Sequence, residues 1–229
     1  MKRIGVLGGT SPESTVSYYE RITREYTRRF GDYSYPEVLI YSVSFQTFVD
    51  WQQAGDWGAM AEKMIEIFRI LAQAGAEIGL IAANTLHRVF DDVEQESSIP
   101  LLHIADAAAA AIRAKDCKTV ALLGTRYTME GTFYQDRLSQ HGIASMTPNE
   151  QDREIVHCVI YDELARGIIR PESKAKFVTI IDRLAEKGAE GAVLGCTEIP
   201  LLVQDGDCAI PLFDTAAIHA DAALEEALK

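Results

Sequence analysis

Short apolar runs alternate with longer segments of helical period, and the whole series occurs twice along the chain. The apolar runs of the first series are residues 4–7, 38–43, 78–82 and 100–103, with helical segments at 14–29, 57–74 and 105–114. The second series has runs at 119–123, 143–145, 192–194 and 210–213, with helical segments at 133–141, 153–167, 174–187 and 216–228. Continuous apolar runs are typical of parallel strands that are buried on both faces. The pattern predicts an α/β protein whose parallel sheets are covered by helices.

The two series have matching landmarks. Gly8 and Ala83 in the first series are about as far apart as Gly124 and Cys196 in the second. In each pair the glycine lies at the end of one predicted strand. The second residue, alanine or cysteine, lies at the end of another predicted strand and is followed by polar residues. This predicts two similar lobes related by a pseudo-two-fold, with both sets of strand ends facing one cleft. The first lobe is predicted to comprise residues 1–103 plus 214–229, and the second residues 104–213.

The charge and cysteine content limit the classes of function. A net charge of −12 disfavours binding to nucleic acid or to an anionic membrane surface. No apolar run approaches the roughly 20 residues of a membrane span, and the N-terminus lacks the apolar core of a signal peptide. The four cysteines are widely spaced and form no metal-ligand motif, which predicts a cytoplasmic chain with reduced thiols and no metal site. Three of them are interpreted as structural, namely Cys117, Cys158 and Cys208.

Cys196 lies in the tetrapeptide Gly195-Cys196-Thr197-Glu198, directly after a predicted buried strand. A helix is expected to begin there, and the N–H groups and partial positive charge of a helix start favour a thiolate. Glu198 is a candidate to orient a proton acceptor or to cap the helix. The alternative interpretation is that Cys196 is a small, buried apolar residue.

Two strand ends in the first series are also polar. The turn at residues 8–15 contains Thr10 and resembles a cradle for a carboxylate or phosphate, although it matches neither a P-loop nor GxGxxG. The alternative is a tight turn whose Ser or Thr caps the next helix. Asn84 and Thr85 are candidates to bind a small carboxylate. His87, which follows them, is either a structural histidine or a supporting acid–base group.

In the second series, Thr125 and Thr128 follow the first strand in the same way. Arg126 lies between them. Its guanidinium could pair with a substrate carboxylate, or it could be a solvated residue at a helix start.

Taken together, these motifs resemble the aspartate/glutamate racemase superfamily over essentially the whole chain. The segments that carry the resemblance are Ile4-Gly5-Val6-Leu7-Gly8-Gly9 with Ser14-Thr15 and Tyr18-Tyr19, Asn84-Thr85 with His87, Leu123-Gly124-Thr125 with Thr128, and Gly195-Cys196-Thr197-Glu198. The resemblance implies two Rossmann-like lobes with the active site in the cleft between them, a small amino-acid substrate and usually a homodimer. It also implies catalysis without pyridoxal phosphate, metal or other cofactor. Two cysteines face each other across the substrate α-carbon, and one thiolate removes the α-proton while the other thiol returns a proton.

This chain departs from that pattern at Ala83, which occupies the position of one of the two thiols. Alanine neither donates nor accepts a proton, so the symmetric two-thiol reaction cannot run in the chain as written. Three explanations stay open. In the first, Ala83 is an engineered substitution in an ordinary racemase. In the second, Ala83 is natural, and water or another side chain supplies the second acid. In the third, the chain is a one-cysteine relative of the racemases.

Within the resemblance, Cys196 is the acid–base residue, and the α-carboxylate is bound by Asn84, Thr85, Thr125, Thr128 and Thr197, with Thr10 in the first turn. The loop after the second strand reaches the distal carboxylate in this family. Here that loop contains no arginine, and the candidate contacts are Gln52 and Ser44. A neutral amide binds a carboxylate less strongly than a guanidinium does, so the choice between aspartate, glutamate and another amino acid stays open.

The resemblance therefore implies a cofactor-independent racemase of aspartate or glutamate that works by thiol-based proton transfer. The alternatives are a one-cysteine decarboxylase or isomerase of the same superfamily, and a non-catalytic relative that binds small carboxylates.

Overall fold

The computed structural model describes residues 1–229. Its strands are β1 (Ile4–Gly8), β2 (Val38–Ser42), β3 (Ile78–Ile81), β4 (Leu101–Leu102), β5 (Thr119–Gly124), β6 (Ala144–Met146), β7 (Gly191–Gly195) and β8 (Leu212–Asp214). Its helices are α1 (Pro12–Phe30), α2 (Phe45–Ala54), α3 (Trp57–Gln73), α4 (Phe90–Glu96), α5 (Ile104–Arg113), α6 (Arg126–Glu130), α7 (Thr132–Gln140), α8 (Glu150–Asp162), α9 (Pro171–Glu186) and α10 (Thr215–Ala227). Short 3₁₀ helices cover Thr85–Val89, Leu164–Arg166 and Ile199–Leu201.

The chain divides into two compact units. Unit 1 comprises Met1–Ile104 together with Ala216–Lys229, and unit 2 comprises Ala105–Thr215. The C-terminal helix α10 thus belongs almost entirely to unit 1, with the first strands of the chain.

Each unit contains one four-stranded sheet in which every pairing is parallel. The strand order is β2-β1-β3-β4 in unit 1 and β6-β5-β7-β8 in unit 2, so the two sheets share one topology. In each, the two central strands are buried apart from the partly buried Thr119 at the start of β5, as expected for a parallel sheet covered on both faces. The predicted α/β class with two similar parallel sheets is confirmed. None of the helices combines the length and the apolar composition that crossing a membrane requires.

The apolar faces of the helices fill the space on both sides of the unit 1 sheet. One face is covered mainly by α3, whose stripe of Met60, Met64, Ile67, Phe68 and Leu71 is buried. The other face is covered by α1 and α10, whose inward positions on α10 are alanines at 216, 220, 223 and 227. Small side chains allow α10 to lie close to the sheet.

Local signals in the sequence fix where α1 begins and ends. The Ser11 hydroxyl accepts the Ser14 N–H at 3.1 Å, Pro12 occupies the first turn, and Glu13 complements the positive end of the helix dipole. The helix ends at Gly31, whose φ of 73° is favourable only for glycine.

Three parts of the sequence interpretation were wrong in detail. The segment after β2, interpreted as a flexible loop, forms helix α2. The helix predicted at 153–167 begins three residues earlier, at Glu150, and ends at Asp162. The helix expected after Cys196 is only a three-residue 3₁₀ turn, Ile199–Leu201.

The central strands of unit 2 approach closely at their carboxyl ends because both end in glycine. A Cβ atom on Gly124 would lie 2.7 Å from the Gly195 carbonyl oxygen, which is backbone and cannot move aside. Gly124→Ala is therefore expected to lower the free energy of unfolding by about 1–3 kcal/mol, the usual cost of overpacking. Urea denaturation measures this change.

Gly58→Ala is the matched control, since a Cβ there meets only the Asp56 carboxylate at 3.8 Å. It should be neutral or slightly stabilising, because alanine is the better helix former. Equal stability of the two variants would contradict the close approach of β5 and β7.

Candidate active site

In unit 1 the turn between β1 and α1 is held by side chain to backbone hydrogen bonds. The Gly9 N–H donates to the Thr15 hydroxyl oxygen at 2.7 Å, and that hydroxyl donates to the Ser11 carbonyl oxygen at 3.0 Å. Gly9 has a φ of 89°, and a Cβ there would lie 2.4 Å from the Val43 nitrogen. Thr10 is buried in this rigid turn. The local geometry is that of a helix-capping turn, which is compatible with both interpretations of the segment.

The turn after β3 lies against the turn after β1. Strand β3 pairs with β1 up to Leu7 and Ile81, and the Ser14 hydroxyl reaches the Ala82 carbonyl oxygen at 3.4 Å. Asn84 and Thr85 are buried, and Ala83 is partly buried. The structure therefore brings Thr10, Asn84 and Thr85 to the same edge of the unit 1 sheet.

The two candidates for contact with the distal carboxylate differ in environment. Strand β2 pairs with β1 up to Ser42 and Gly8, so Ser44 is also near this edge, where it is exposed and precedes α2. Gln52 lies in the last turns of α2, and its side chain is buried. The two residues lie eight positions apart, Ser44 just before α2 and Gln52 inside it, and not together on a loop.

His87 follows the turn and is 2% exposed. Its Nδ1 lies 2.8 Å from the Ala83 carbonyl oxygen, and its Nε2 accepts the Ile104 N–H at 3.2 Å. Both ring nitrogens are thus engaged by backbone. Burial, then the neighbouring His103 and His219, hold the pKa of His87 well below its ordinary value. His87 is a neutral structural residue, and a role as catalytic base is not supported.

In unit 2 the residues predicted for the site lie at the ends of two adjacent central strands. Gly124 pairs with Gly195, so Thr125 and Cys196 follow neighbouring positions of the ladder. The Thr125 hydroxyl accepts the Thr128 N–H and lies 3.2 Å from the Thr128 hydroxyl. Thr128 is completely buried against the two glycines. Because β5 and β7 are parallel and in register, these threonines follow the strand next to the one that precedes Cys196.

The Cys196 thiol is directly hydrogen bonded to a carboxylate. Its Sγ donates to Glu198 Oε2 at 2.9 Å, and the Thr197 hydroxyl donates to the same oxygen at 2.9 Å. Cys196 is 8% exposed and Glu198 is 6% exposed. The arrangement is a buried thiol–carboxylate pair in which the carboxylate has a second donor.

The protonation state of this thiol differs from the sequence expectation of a thiolate. Burial raises the pKa of Cys196 well above its ordinary value, and the charge and hydrogen bond of Glu198 raise it further. The N–H groups of Thr197 and Glu198 act in the opposite direction but are smaller causes. The three-residue 3₁₀ turn has a smaller dipole than the expected helix, so it stabilises a thiolate less. The resting thiol is therefore protonated, with Glu198 positioned as the acceptor of its proton.

Tyr161 on α8 packs against the buried cluster of unit 2 that contains Cys196, and the sequence interpretation did not name it. Burial raises the pKa of its phenol, and its electrostatic interactions with Cys196, Tyr127 and Glu198 raise it further. Its ring contacts His157 at a centroid distance of 4.8 Å. The available signal was helical spacing, because positions 157 and 161 share one face of α8.

Arg126 does not point to an open anion site. Its guanidinium pairs with Glu154 of α8, and its backbone N–H donates to His157 Nδ1 at 3.3 Å. The structure favours the second interpretation of Arg126, a partly solvated residue at a helix start, and its guanidinium is engaged by Glu154.

Replacing Glu198 tests the electrostatics of the thiol. Glu198→Gln removes the carboxylate charge that raises the pKa of Cys196, so alkylation of Cys196 should begin at lower pH than in the unaltered protein. The measurement is the rate of iodoacetamide labelling against pH, with the labelled cysteine identified by mass spectrometry. Glu154→Gln is the control, because Glu154 accepts from Cys158 at 3.4 Å and should change only that thiol. An unshifted Cys196 profile in Glu198→Gln would contradict the pairing.

Comparison with known proteins places these features in a family. The family model for Asp/Glu/hydantoin racemases matches residues 7–223. Among curated proteins, the broad specificity amino-acid racemase RacX of Bacillus subtilis (strain 168) is 23% identical over 224 residues, covering 95% of this chain and 94% of the relative.

Two crystal structures share the fold at higher identity. A Yersinia pestis protein assigned to the Asp/Glu racemases is 43% identical with a TM-score of 0.93, and 100% of each chain is covered. An aspartate racemase homologue from Pyrococcus horikoshii OT3 is 40% identical with a TM-score of 0.87, again over 100% of each chain. The chain belongs to the Asp/Glu/hydantoin racemase family.

Proposed function

We propose that this protein is an amino-acid racemase-type enzyme that exchanges the α-proton of an acidic amino acid, with Cys196 as its acid–base residue. The observation that carries the proposal is the buried Cys196–Glu198 pair at the carboxyl end of β7. Family membership supports the reaction class, and the relatives named above include an amino-acid racemase and a homologue of aspartate racemase.

The proposed reaction begins from the protonated thiol. Cys196 transfers its proton to the Glu198 carboxylate, which leaves a thiolate and a carboxylic acid. The thiolate then takes the substrate α-proton, and the electron pair of the C–H bond is delocalised into the α-carboxylate. Return of a proton from the thiol restores the amino acid, and solvent exchange at sulfur replaces hydrogen with deuterium. Glu198 thus gives the proton an acceptor inside the buried site, while its charge and the burial keep the resting thiol in its neutral form.

Binding of the α-carboxylate is proposed for the polar strand-end residues, which supply hydroxyl, amide and backbone donors. In unit 1 these are Thr10, Asn84 and Thr85, and in unit 2 they are Thr125, Thr128 and Thr197. Ser44 and Gln52 are proposed to contact the side chain of the substrate. All of these donors are neutral, so the choice of side chain depends on hydrogen bonding more than on charge.

Because of Ala83, the proposed reaction favours one enantiomer. The two-thiol mechanism uses a second thiol at this position, and alanine supplies no proton there. The proton that Cys196 removes is therefore returned by Cys196 itself. We propose that the chain exchanges the α-proton of one enantiomer with solvent faster than it converts that enantiomer into the other.

The experiment is NMR of L- and D-aspartate and of L- and D-glutamate with the protein in deuterated water. The expected result is loss of the α-proton signal of one enantiomer, with little change of optical rotation. Exchange of both enantiomers at equal rates would show that another group supplies the second proton. Absence of exchange overturns the proposal and favours a decarboxylase, an isomerase or a carboxylate-binding protein, which gas release or calorimetry would distinguish.

The proposal also includes catalysis without a cofactor and a homodimer, as the resemblance implies, and a cytoplasmic location, as the widely spaced cysteines predict. Exchange by protein that has been dialysed against a chelator and lacks visible absorbance tests the first point. The mass in solution, by light scattering, tests the last.

A further inference from the structure

Unit 1 contains three buried histidines that the proposed reaction does not use. His87, His103 and His219 are 2%, 7% and 0% exposed. The His87 ring lies 4.7 Å from the His103 ring and 5.9 Å from the His219 ring, measured between centroids. They come from three different parts of the chain. The polar cluster is therefore a tertiary feature of this unit, and each ring needs a defined protonation state.

The hydrogen bonds of His87 fix its tautomer. The Ile104 N–H can only donate, so Nε2 is the unprotonated nitrogen that accepts it at 3.2 Å. The proton is then on Nδ1, which donates to the Ala83 carbonyl oxygen at 2.8 Å. His87 thereby links Ala83, where the second thiol is absent, to Ile104, the residue at which the chain leaves unit 1.

His219 has the opposite tautomer by the same reasoning. Its Nε2 lies 3.0 Å from the Leu102 carbonyl oxygen, which can only accept, so Nε2 carries the proton. Its Nδ1 then accepts the Tyr18 hydroxyl at 2.9 Å. His219 is in the first turns of α10, just after the chain re-enters unit 1 at Ala216.

A neutral His87 is required by this arrangement, because a protonated ring could not accept the Ile104 N–H. The titratable groups around it are His103 and His219, with Tyr18 of α1 behind His219. Arg88, the next residue in the chain, lies over the Trp57 ring at 4.4 Å from its centroid. Burial and the two histidines both disfavour a charge on His87.

We propose that His87 is a positioning residue, whose Nδ1–H holds the Ala83 carbonyl and so sets the turn Ala83-Asn84-Thr85, while its Nε2 and the His219 ring anchor β4 and the start of α5. The effect on catalysis rests on the proposed function, since Asn84 and Thr85 matter there as carboxylate ligands. The anchoring of β4 and of the start of α5 is independent of the proposed function.

Two substitutions separate the two bonds of His87. His87→Asn places an amide N–H where Nδ1 stands and keeps the bond to Ala83, but it loses the acceptor for Ile104. His87→Gln places an amide oxygen near the position of Nε2 and keeps the acceptor, but it loses the donor to Ala83. Both variants lose one buried bond and should be destabilised to a similar degree, which thermal unfolding checks.

The expected result is a difference in chemistry between variants of similar stability. His87→Gln should slow α-proton exchange by about 10- to 100-fold in kcat, the scale expected when a binding group is displaced, whereas His87→Asn should stay within about threefold. In ¹⁵N spectra of the unaltered protein, His87 should be protonated at Nδ1 and His219 at Nε2. A His87 proton on Nε2, or equal exchange rates in the two variants, would overturn the proposal.

If the unaltered protein exchanges no α-proton, the proposed function fails by itself. The nitrogen spectra then still decide the tautomers. Calorimetric titration with L- and D-aspartate replaces kcat as the second readout, and affinity should be lower in His87→Gln than in His87→Asn. Equal affinities in that case would overturn the role of His87.

Discussion

Cys196→Ser is expected to lower the rate of α-proton exchange by about 10²- to 10⁴-fold, the usual contribution of a positioned acid–base group. The hydroxyl is close in size to the thiol and can still donate to Glu198, so the fold should be retained. It is far less acidic than a thiol, however, and Glu198 cannot convert it into a useful base. The measurement is deuterium incorporation at the α-carbon, with circular dichroism to check the fold.

Cys208→Ser is the control for this substitution. Cys208 is a half-buried thiol of the same unit whose pKa is raised to about 11 by burial and nearby aspartates, so it is equally unreactive at neutral pH. Its loss should leave exchange unchanged. Retention of exchange in Cys196→Ser would remove Cys196 from the proposed reaction and would require another base at this strand end.

Much of the fold could be predicted from the sequence because the strongest signals are local. The runs that form β1, β3, β5 and β7 are short, continuous and apolar, a pattern typical of parallel strands that are buried on both faces. The same regularity gave the positions of the polar strand ends, since parallel strands in register place their carboxyl ends at one edge.

Helix α2 shows where local signals fail. It has ten residues, and only Phe48 and Gln52 among them are buried, at a spacing of one helical turn. A stripe that includes a glutamine gives a weak apolar period, and the resemblance to a family with a loop there favoured the wrong interpretation. Helix α6 is only five residues long and begins at the Thr125 cap, so it is below the length that periodicity can identify.

The state of the site thiol depends on tertiary structure in the same way. The sequence places Glu198 two residues after Cys196, but that spacing alone does not bring their side chains together. The contact arises because the chain turns after β7 and buries both groups in unit 2. A prediction based on the helix dipole therefore had the wrong sign, since burial and a nearby carboxylate both favour the neutral thiol.

Ala83→Cys is expected to convert one-sided exchange into racemisation. The thiol restores an acid–base group at the position that alanine leaves vacant, and exchange of the slower enantiomer should rise by about 10²-fold or more. The backbone bond from His87 to the Ala83 carbonyl does not involve the side chain and should persist. NMR in deuterated water measures exchange of both enantiomers, and optical rotation measures their interconversion.

Ala83→Ser is the matched control, because its hydroxyl adds about the same bulk without a comparable acidity, and it should leave one-sided exchange in place. The double variant Ala83→Cys with Cys196→Ser should exchange the opposite enantiomer from the unaltered chain, since the one remaining thiol is then at the other position. If it instead prefers the same enantiomer, the stereochemical preference does not depend on which position holds the thiol. The vacancy at Ala83 would then not be the cause of the one-sided reaction, and the proposed role of that position would fail.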